Sequence, residues 1–346
     1  MTDLGSRPSP AALSVEPVRH ELTGLADASP WRRILAWTIF PATFAASMAI
    51  TKLGLDQGLE SFLAVLPGVA VGLAVVAIAE RIQPHSPRWS RSHNDVGTDL
   101  LHMTFSQVLP PPVIDLGVAL AVSGLGIAVA EQLGRAAWPV EWGFWWQVAL
   151  AAIVGELGQY VWHRLCHEHP WFWRFHALHH SAPRLWWLNA GRFHPLDTAI
   201  AYTATITPLV VLGCPPGVLA AMATFAAVHG MFQHANIDLR LGPLNWVFSM
   251  AELHRWHHSK DLRYANANYG ANVIFWDVVF GTRVLPHGKE HDPADVGFDG
   301  DQAFPQTFIA QLGTPFRWRR LEAAMAAAER AVVEPSPQGP TEDGAT

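Results

Sequence analysis

The stretch from Val161 to Ser181 reads VWHRLCHEHPWFWRFHALHHS and places six histidines in twenty-one residues. An α-helix turns about 100° per residue, so His163 and His167, four apart, lie within about 40° of one face. His176, His179 and His180 follow at i, i+3 and i+4 and share a face of their own. A second triplet of the same form, His254, His257 and His258, stands far downstream in ELHRWHHS. Neutral imidazole offers a lone pair near neutral pH without burying a negative charge. Many imidazoles gathered in one buried place repel when protonated and leave nitrogens unsatisfied, unless a cation organises them. The repeated spacing therefore predicts a metal centre rather than scattered core histidines.

Outward from this stretch the composition sets the class. Half of the 346 residues are hydrophobic, only 15% are charged and sixteen are Trp. This is the balance of an integral membrane protein with a polar catalytic part. A net charge of −6 with no basic stripe excludes a nucleic-acid partner. Two cysteines, Cys166 and Cys214, make no disulfide framework. Twenty Arg against three Lys suggest a GC-rich bacterial genome.

Apolar runs follow at Ile34–Ile50, Phe62–Ala79, Val113–Ala130, Trp145–Trp162, Ala199–Leu212 and Val218–Phe232. The expected fold is all-α: a polytopic membrane bundle of about six spanning helices, four being the smaller count, capped by a cytosolic helical histidine region. Residues 1–30 read as a mobile tail, 31–141 as an N-terminal transmembrane part, 142–290 as the catalytic region with a transmembrane hairpin, and 291–346 as a tail. Within that tail, residues 318–333 form an amphipathic helix for a membrane surface, a partner or solvent. Pro110, Pro111 and Pro112 are expected to break any helix, which makes Thr98–Leu109 an approach segment outside the span. Arg32, Arg33, Arg81, Arg88 and Arg91 place the amino end and the 81–97 loop inside. Counting crossings from there gathers every histidine motif at the cytoplasmic face of a multi-pass protein of the bacterial cytoplasmic membrane.

The three histidine groups resemble the HxxxH, HxxHH and HxxHH boxes of the fatty acid hydroxylase and sterol desaturase superfamily of membrane di-iron oxidases. The likeness runs from about Trp162 to Thr282. It includes WHRLCH, WRFHALHHS, NAGRFHP (Asn189–Pro195), FQHAN (Phe232–Asn236), ELHRWHHS and NYGANVIFWDVVFGT (Asn268–Thr282). The resemblance implies two iron ions, with zinc a possible substitute, that use O2 as co-substrate to hydroxylate or desaturate an unactivated C–H position of a sterol-like or fatty-acyl lipid. Matched residue by residue, His163, His167, His176, His179, His180, His254, His257 and His258 are metal ligands. His234 is a further one, with His229 its companion. Five residues separate that pair, a rotation of about 140° on a regular helix, so both bind only across a bulge or a helix end.

His194, in RFHPLD, reads equally as a ligand, a supporting residue or part of a substrate loop, with Asp197 able to orient an imidazole. Glu156 stands on a similar face to His163 inside an apolar helix and is the leading hydrogen-bond partner for a ligand. Glu252 and Asp277 are weaker choices for that role. Asn268 and Tyr269 match the family phrase and are supporting residues or a turn packed beneath the site. No haem-binding domain, iron–sulfur cysteine set or nucleotide fingerprint is present, so an external ferredoxin, cytochrome or reductase is the expected electron donor. The competing classes are a zinc-dependent membrane hydrolase and a non-enzymatic metal-binding or transport protein; O2-dependent turnover separates the oxidase from both.

Overall fold

Pro at the first turn and Gly just past the last one delimit many of the helices. The computed structural model describes residues 29–134, 137–286 and 295–333. In chain order the helices are α1 (Pro30–Asp56), α2 (Ser61–Ile82), α3 (Val96–His102), α4 (Pro110–Leu133), α5 (Phe144–Glu168), α6 (Pro170–His180) and α7 (Pro195–Leu212). They continue as α8 (Pro216–His234), α9 (Ala251–His257), α10 (Leu262–Ala265), α11 (Phe275–Phe280), α12 (Phe308–Leu312) and α13 (Trp318–Val333). Proline opens α1, α4, α6, α7 and α8, where its missing N–H leaves no hydrogen bond unmade. Gly134 and Gly213 close α4 and α7 at φ of 65° and 79°, a conformation that a Cβ disfavours. Among the described residues extended pairing is limited to isolated bridges such as Phe248 with Val273, so the fold is all-helical.

The long helices pack in sequence around α5 and α8: α4 lies on α7, α7 on α5, α5 on α8, and α8 on α2 and α1. Small residues set the closest approach. A Cβ on Gly158 of α5 would lie 2.1 Å from the Ala204 carbonyl oxygen of α7, so only glycine permits that crossing. At one end of the bundle the chain is tied across helices: Gln83 Nε2 donates to the Arg32 and Asp238 carbonyls at 3.2 and 3.0 Å. The start of α1 and the end of α2 meet there. The histidine-bearing end of α5 and the histidine-bearing end of α8 gather at the same level.

Among the described residues four helical segments are long and apolar enough to cross a membrane: Pro30–Asp56, Ser61–Ile82, Val96–Leu133 and Pro195–Leu212. This is the smaller of the two expected counts. The runs in α5 and α8 are helical but are diluted by inward polar groups, among them Gln147, Glu156 and His163 on α5 and Thr224, His229 and Gln233 on α8. The outward surface is strongly apolar, with Leu120 76% and Val113 72% exposed, a lipid-facing rather than an aqueous surface.

One expectation is overturned. Pro110, Pro111 and Pro112 do not interrupt the rod, which runs from Val96 to Leu133. The turn before them, Met103–Val108, is a π-helix, and the Leu109 N–H donates to the Thr104 carbonyl at 3.1 Å. A widened turn absorbs the misfit that a proline ring creates against the preceding carbonyls. The segment before it is amphipathic in the inverse sense: Thr98, Asp99, His102 and Ser106 are buried while Leu100, Leu101, Phe105 and Val108 face outward. Gly158→Leu is expected to destabilise the chain by about 1–3 kcal/mol or more through overpacking, read as a lower melting temperature in detergent. Gly124→Ala, where a Cβ meets nothing within 4 Å, leaves it unchanged.

Candidate metal centre

The two box-bearing helices α5 and α6 meet at a sharp corner. His169 ends α5 in an extended conformation and its Nδ1 accepts the Trp171 N–H at 3.3 Å, while Pro170 starts α6. His163 and His167 occupy the last turns of α5, and His176, His179 and His180 the last turn of α6. His234 closes α8, and α9 with its C-terminal flank delivers His254, His257 and His258.

These side chains converge in two groups. His163, His167, His176, His180 and His257 form one, and His179, His234, His254 and His258 the other; within each, the potential ligand atoms lie within 4.8 Å of one another. The groups adjoin, with the His180 and His258 rings stacked 4.3 Å apart. Residues from both triplets, nearly a hundred positions apart, therefore share one buried place.

The donor chemistry fits a pair of cations. In the first group the Nε2 atoms of His163, His167, His176, His180 and His257 are all buried without a hydrogen-bond partner. In three of them the other nitrogen is engaged: His163 Nδ1 faces the Tyr269 carbonyl at 2.6 Å, His257 Nδ1 the Ala267 carbonyl at 2.8 Å, and His176 Nδ1 an Asp197 carboxylate oxygen at 2.9 Å. A carbonyl accepts only from N–H, so the proton sits on Nδ1 and the Nε2 lone pair points at the common centre. In the second group His254 Nε2 lies 2.9 Å from His234 Nε2 and 3.0 Å from His258 Nε2. One imidazole nitrogen has a single in-plane site and cannot satisfy two such neighbours by hydrogen bonding. Ligands bound about 2.1 Å from one ion at right angles would stand about 3.0 Å apart, the spacing of these nitrogens.

The supporting contacts were only partly legible. Asp197 does orient an imidazole, but that of His176 and not of His194, and it also accepts the Trp162 indole N–H at 2.7 Å. Cys166, His176 and Asp197 are also close enough to be read as a third group. His176 already belongs to the first group, however, and each Asp197 oxygen is paired with a neighbouring side chain. Asn189 Oδ1 stands 3.0 Å from His234 Nδ1, the Arg192 carbonyl 3.3 Å from His179 Nδ1, and Phe193 stacks on His179 at 3.9 Å. The motif NAGRF holds these three, yet no spacing rule assigns them roles.

His194 is in neither group. It caps α7, its Nδ1 accepting the Leu196 N–H at 3.1 Å, and its Nε2 faces the Leu312 carbonyl. His229 is also outside both; its ring lies among Phe40, Phe225 and Phe248 at centroid distances of 6.1, 5.8 and 5.9 Å. The regular helix turns it away from His234, and no bulge restores it. Glu156 does not touch a ligand but accepts the Ala271 and Asn272 N–H groups, fixing the loop whose Tyr269 carbonyl holds His163. Asp277 accepts the Tyr269 and Gly270 N–H groups at 2.8 and 2.7 Å, and Glu252 braces Leu241 and Asn245. Asn268, at a φ of 56°, pins the same loop to the Leu253 and Val284 carbonyls. Tyr269 is buried with an unpartnered hydroxyl, its ring 5.5 to 6.1 Å from those of His163, His167 and His257.

Burial holds His179, His180 and His258 well below the ordinary imidazole range, with neighbouring imidazoles adding to the effect, and pushes His257 down to about 3. All are thus neutral, the form that binds metal.

An all-helical bundle with lipid-facing sides and nine imidazoles in two groups at one end defines a membrane-type, metal-using enzyme. The chain belongs to the fatty acid hydroxylase family, whose model matches residues 148–282. Ornithine lipid hydroxylase OlsE of Rhizobium tropici is 37% identical over 249 residues, 70% of this chain and 73% of that protein. Alkylglycerol monooxygenase of Danio rerio is 29% identical over 42% of this chain and 31% of its own length. Methylsterol monooxygenase 1 of Rattus norvegicus is 29% identical over 39% and 46%. The chain thus spans less than half of these last two. No solved structure matches it. The chain is an oxidoreductase of the lipid hydroxylase type, dependent on oxygen and on metal.

Elemental analysis of purified variants tests the two-group geometry. His254→Ala is expected to lose about half of the bound metal, and Asp197→Asn to weaken affinity about 10–100-fold, whereas His229→Phe retains the full complement. The depressed histidines set a pH dependence as well. An unfolded imidazole takes its proton near about 6.5, while folded His257 resists until about 3. The metal-free fold is therefore expected to lose stability as pH falls from about 6.5 toward 3 and to gain none above that range, which thermal melts across pH would register.

Proposed function

We propose that the chain is an O2-dependent di-iron oxidase of the bacterial cytoplasmic membrane that hydroxylates an unactivated C–H position of a lipid, with its centre at the cytoplasmic face. The observation that carries this is the set of five buried, unpartnered Nε2 atoms beside a second cluster of four imidazoles. All-imidazole donation suits iron, and the named relatives are hydroxylases and monooxygenases, which favours hydroxylation over desaturation. Gln83 ties the Arg32 carbonyl to that of Asp238, and Ser86 and Ser90 bond Asn236, so the arginine-bearing start of α1 and the loop after α2 adjoin the chain just past His234, in keeping with an inward-facing centre. A bacterial aminolipid of the ornithine lipid kind is the first substrate to test, because OlsE aligns over most of both chains.

Two irons held by these residues would supply the O2 activation needed to oxidise a C–H bond. The chain's own part is positional. Carbonyls of Tyr269 and Ala267 and the Asp197 carboxylate fix the proton of each partnered imidazole on Nδ1, so Nε2 stays a donor through turnover. Trp173 packs against His167 and His180 at 5.4 Å on the solvent side and keeps bulk water from the first group. Tyr269 offers a buried hydroxyl proton beside that group. Electrons come from a separate ferredoxin, cytochrome or reductase.

Expression in a bacterium that makes ornithine lipid, followed by lipid mass spectrometry, tests the reading. A gain of one oxygen in a single lipid class is expected, labelled when 18O2 is supplied and lost with His163→Ala or in the absence of O2. Turnover without O2 would instead mark a zinc hydrolase, and unchanged lipids a metal-binding protein without this activity.

A further inference from the structure

The segment that follows the histidine region is fastened to the first turns of two membrane-length helical segments. Thr98 Oγ1 donates to the Gln306 carbonyl at 2.9 Å, His102 Nε2 pairs with Gln311 Oε1 at 2.9 Å, and His194 Nε2 faces the Leu312 carbonyl at 3.3 Å. Phe308 adds ring contacts to His102 and Phe105 at 4.7 and 5.8 Å. Residues 306–320 thus stand at the level where α3 and α7 begin, which is a bilayer surface if those helices cross one.

Between this segment and α6 opens a cleft of about 450 Å³ whose lining includes Arg174, Arg317, Arg319 and Arg320, with Phe316 and Trp318. Among the described residues none of the four guanidinium groups has a carboxylate within ion-pair distance. Arg174 stacks 4.7 Å over Trp171 and its buried Nε has no hydrogen-bond partner. Four unpaired cations around one cleft repel each other, and an anion between them relieves that cost. Guanidinium is the side-chain group best shaped for phosphate oxygens.

The surrounding surface decides the source of the anion. Phe316 is 73% and Ile309 75% exposed. A free phosphate accounts for the arginines but leaves these two apolar tips in water. A bilayer surface accounts for both, with rings and aliphatic chains at the acyl boundary and guanidinium groups at the headgroups. We propose that the cleft between α6 and the start of α13 binds the headgroup phosphate of an anionic phospholipid, with Phe316 and Ile309 inserted beside it. The site is coupled to the metal centre by position: Trp318 and Met325 of α13 pack on Ala177 and Leu178 of α6, the helix that carries His176, His179 and His180. A lipid bound there seats the C-terminal helix on the ligand-bearing helix.

This inference rests on the membrane reading given above. The full chain in neutral detergent is titrated with short-chain phosphatidylglycerol, phosphatidylcholine of equal acyl length, or inorganic phosphate, with melting temperature as the readout. Phosphatidylglycerol alone is expected to raise it saturably, and Arg317→Gln with Arg320→Gln, or Arg174→Gln, to weaken that response about tenfold or more, with the melting temperature in detergent alone unchanged. Equal shifts with both lipids, a matching shift with phosphate, or an unaltered response in the variants overturns it. So does stabilisation by a reduced acidic ferredoxin without any by lipid. Recovery of the chain from the soluble fraction without detergent would be a failure of the membrane reading itself, read before any lipid is added.

Discussion

Nine imidazoles packed ring against ring away from water impose the constraint on which the other features of the fold rest. A buried polar atom left unpaired costs about 1–3 kcal/mol. The first group alone contains five such Nε2 atoms, a cost that rivals the net stability of about 5–15 kcal/mol available to an ordinary domain. Cations offset this cost, and only if every lone pair is aimed inward. The protein achieves that aim by occupying the opposite nitrogen. The NYGAN loop, the Ala267 carbonyl and Asp197 are arranged for that purpose, and Glu156, Asp277 and Asn268 hold the loop in turn.

What could be read from the sequence follows the same division. Spacing within one helix is local, so the HxxxH and HxxHH groups and their shared faces were evident from residue numbers, and the 140° offset between His229 and His234 already told against their acting together. The partners of the ligands depend on how helices meet. Asp197 looks toward the neighbouring His194 in sequence. Pro195 instead places His194 at the helix cap, where Leu196 N–H occupies its Nδ1, and the first turn of α7 directs Asp197 to His176 on α6. Main-chain carbonyls carry no residue signature at all, which is why those of Tyr269, Ala267 and Arg192 could not be found in advance.

The membrane-facing part was legible by hydropathy and misread where a local rule met a tertiary solution. Three consecutive prolines argue against helix continuation, yet the π turn at Met103–Val108 lets the rod proceed, and it does so beside NAGRF, where Met103 fills the space that a Cβ on Gly191 would need. Among the described residues four segments, not six, are long and apolar enough to cross, because α5 and α8 carry the polar inner surface of the site. Their lower hydropathy reflects function: helices that deliver Glu156, His163, Gln233 and His234 cannot also be uniformly apolar.

Bundle packing and ligand geometry are therefore one variable rather than two. The Asp197 carboxylate joins α7 to Trp162 of α5 through one oxygen and to His176 of α6 through the other. The same pair of helices is pressed together at Gly158 and Ala204. A shift of α7 along α5 would move the carboxylate, release the Nδ1 proton of His176 and turn its lone pair from the centre. Because α7 is also one of the membrane-length segments among the described residues, with α4 packed along it, the same helix serves both the apolar bundle and the orientation of a ligand. Placing the centre at the end of the bundle, rather than midway along it, keeps that mechanical link short while leaving the long apolar faces free for lipid.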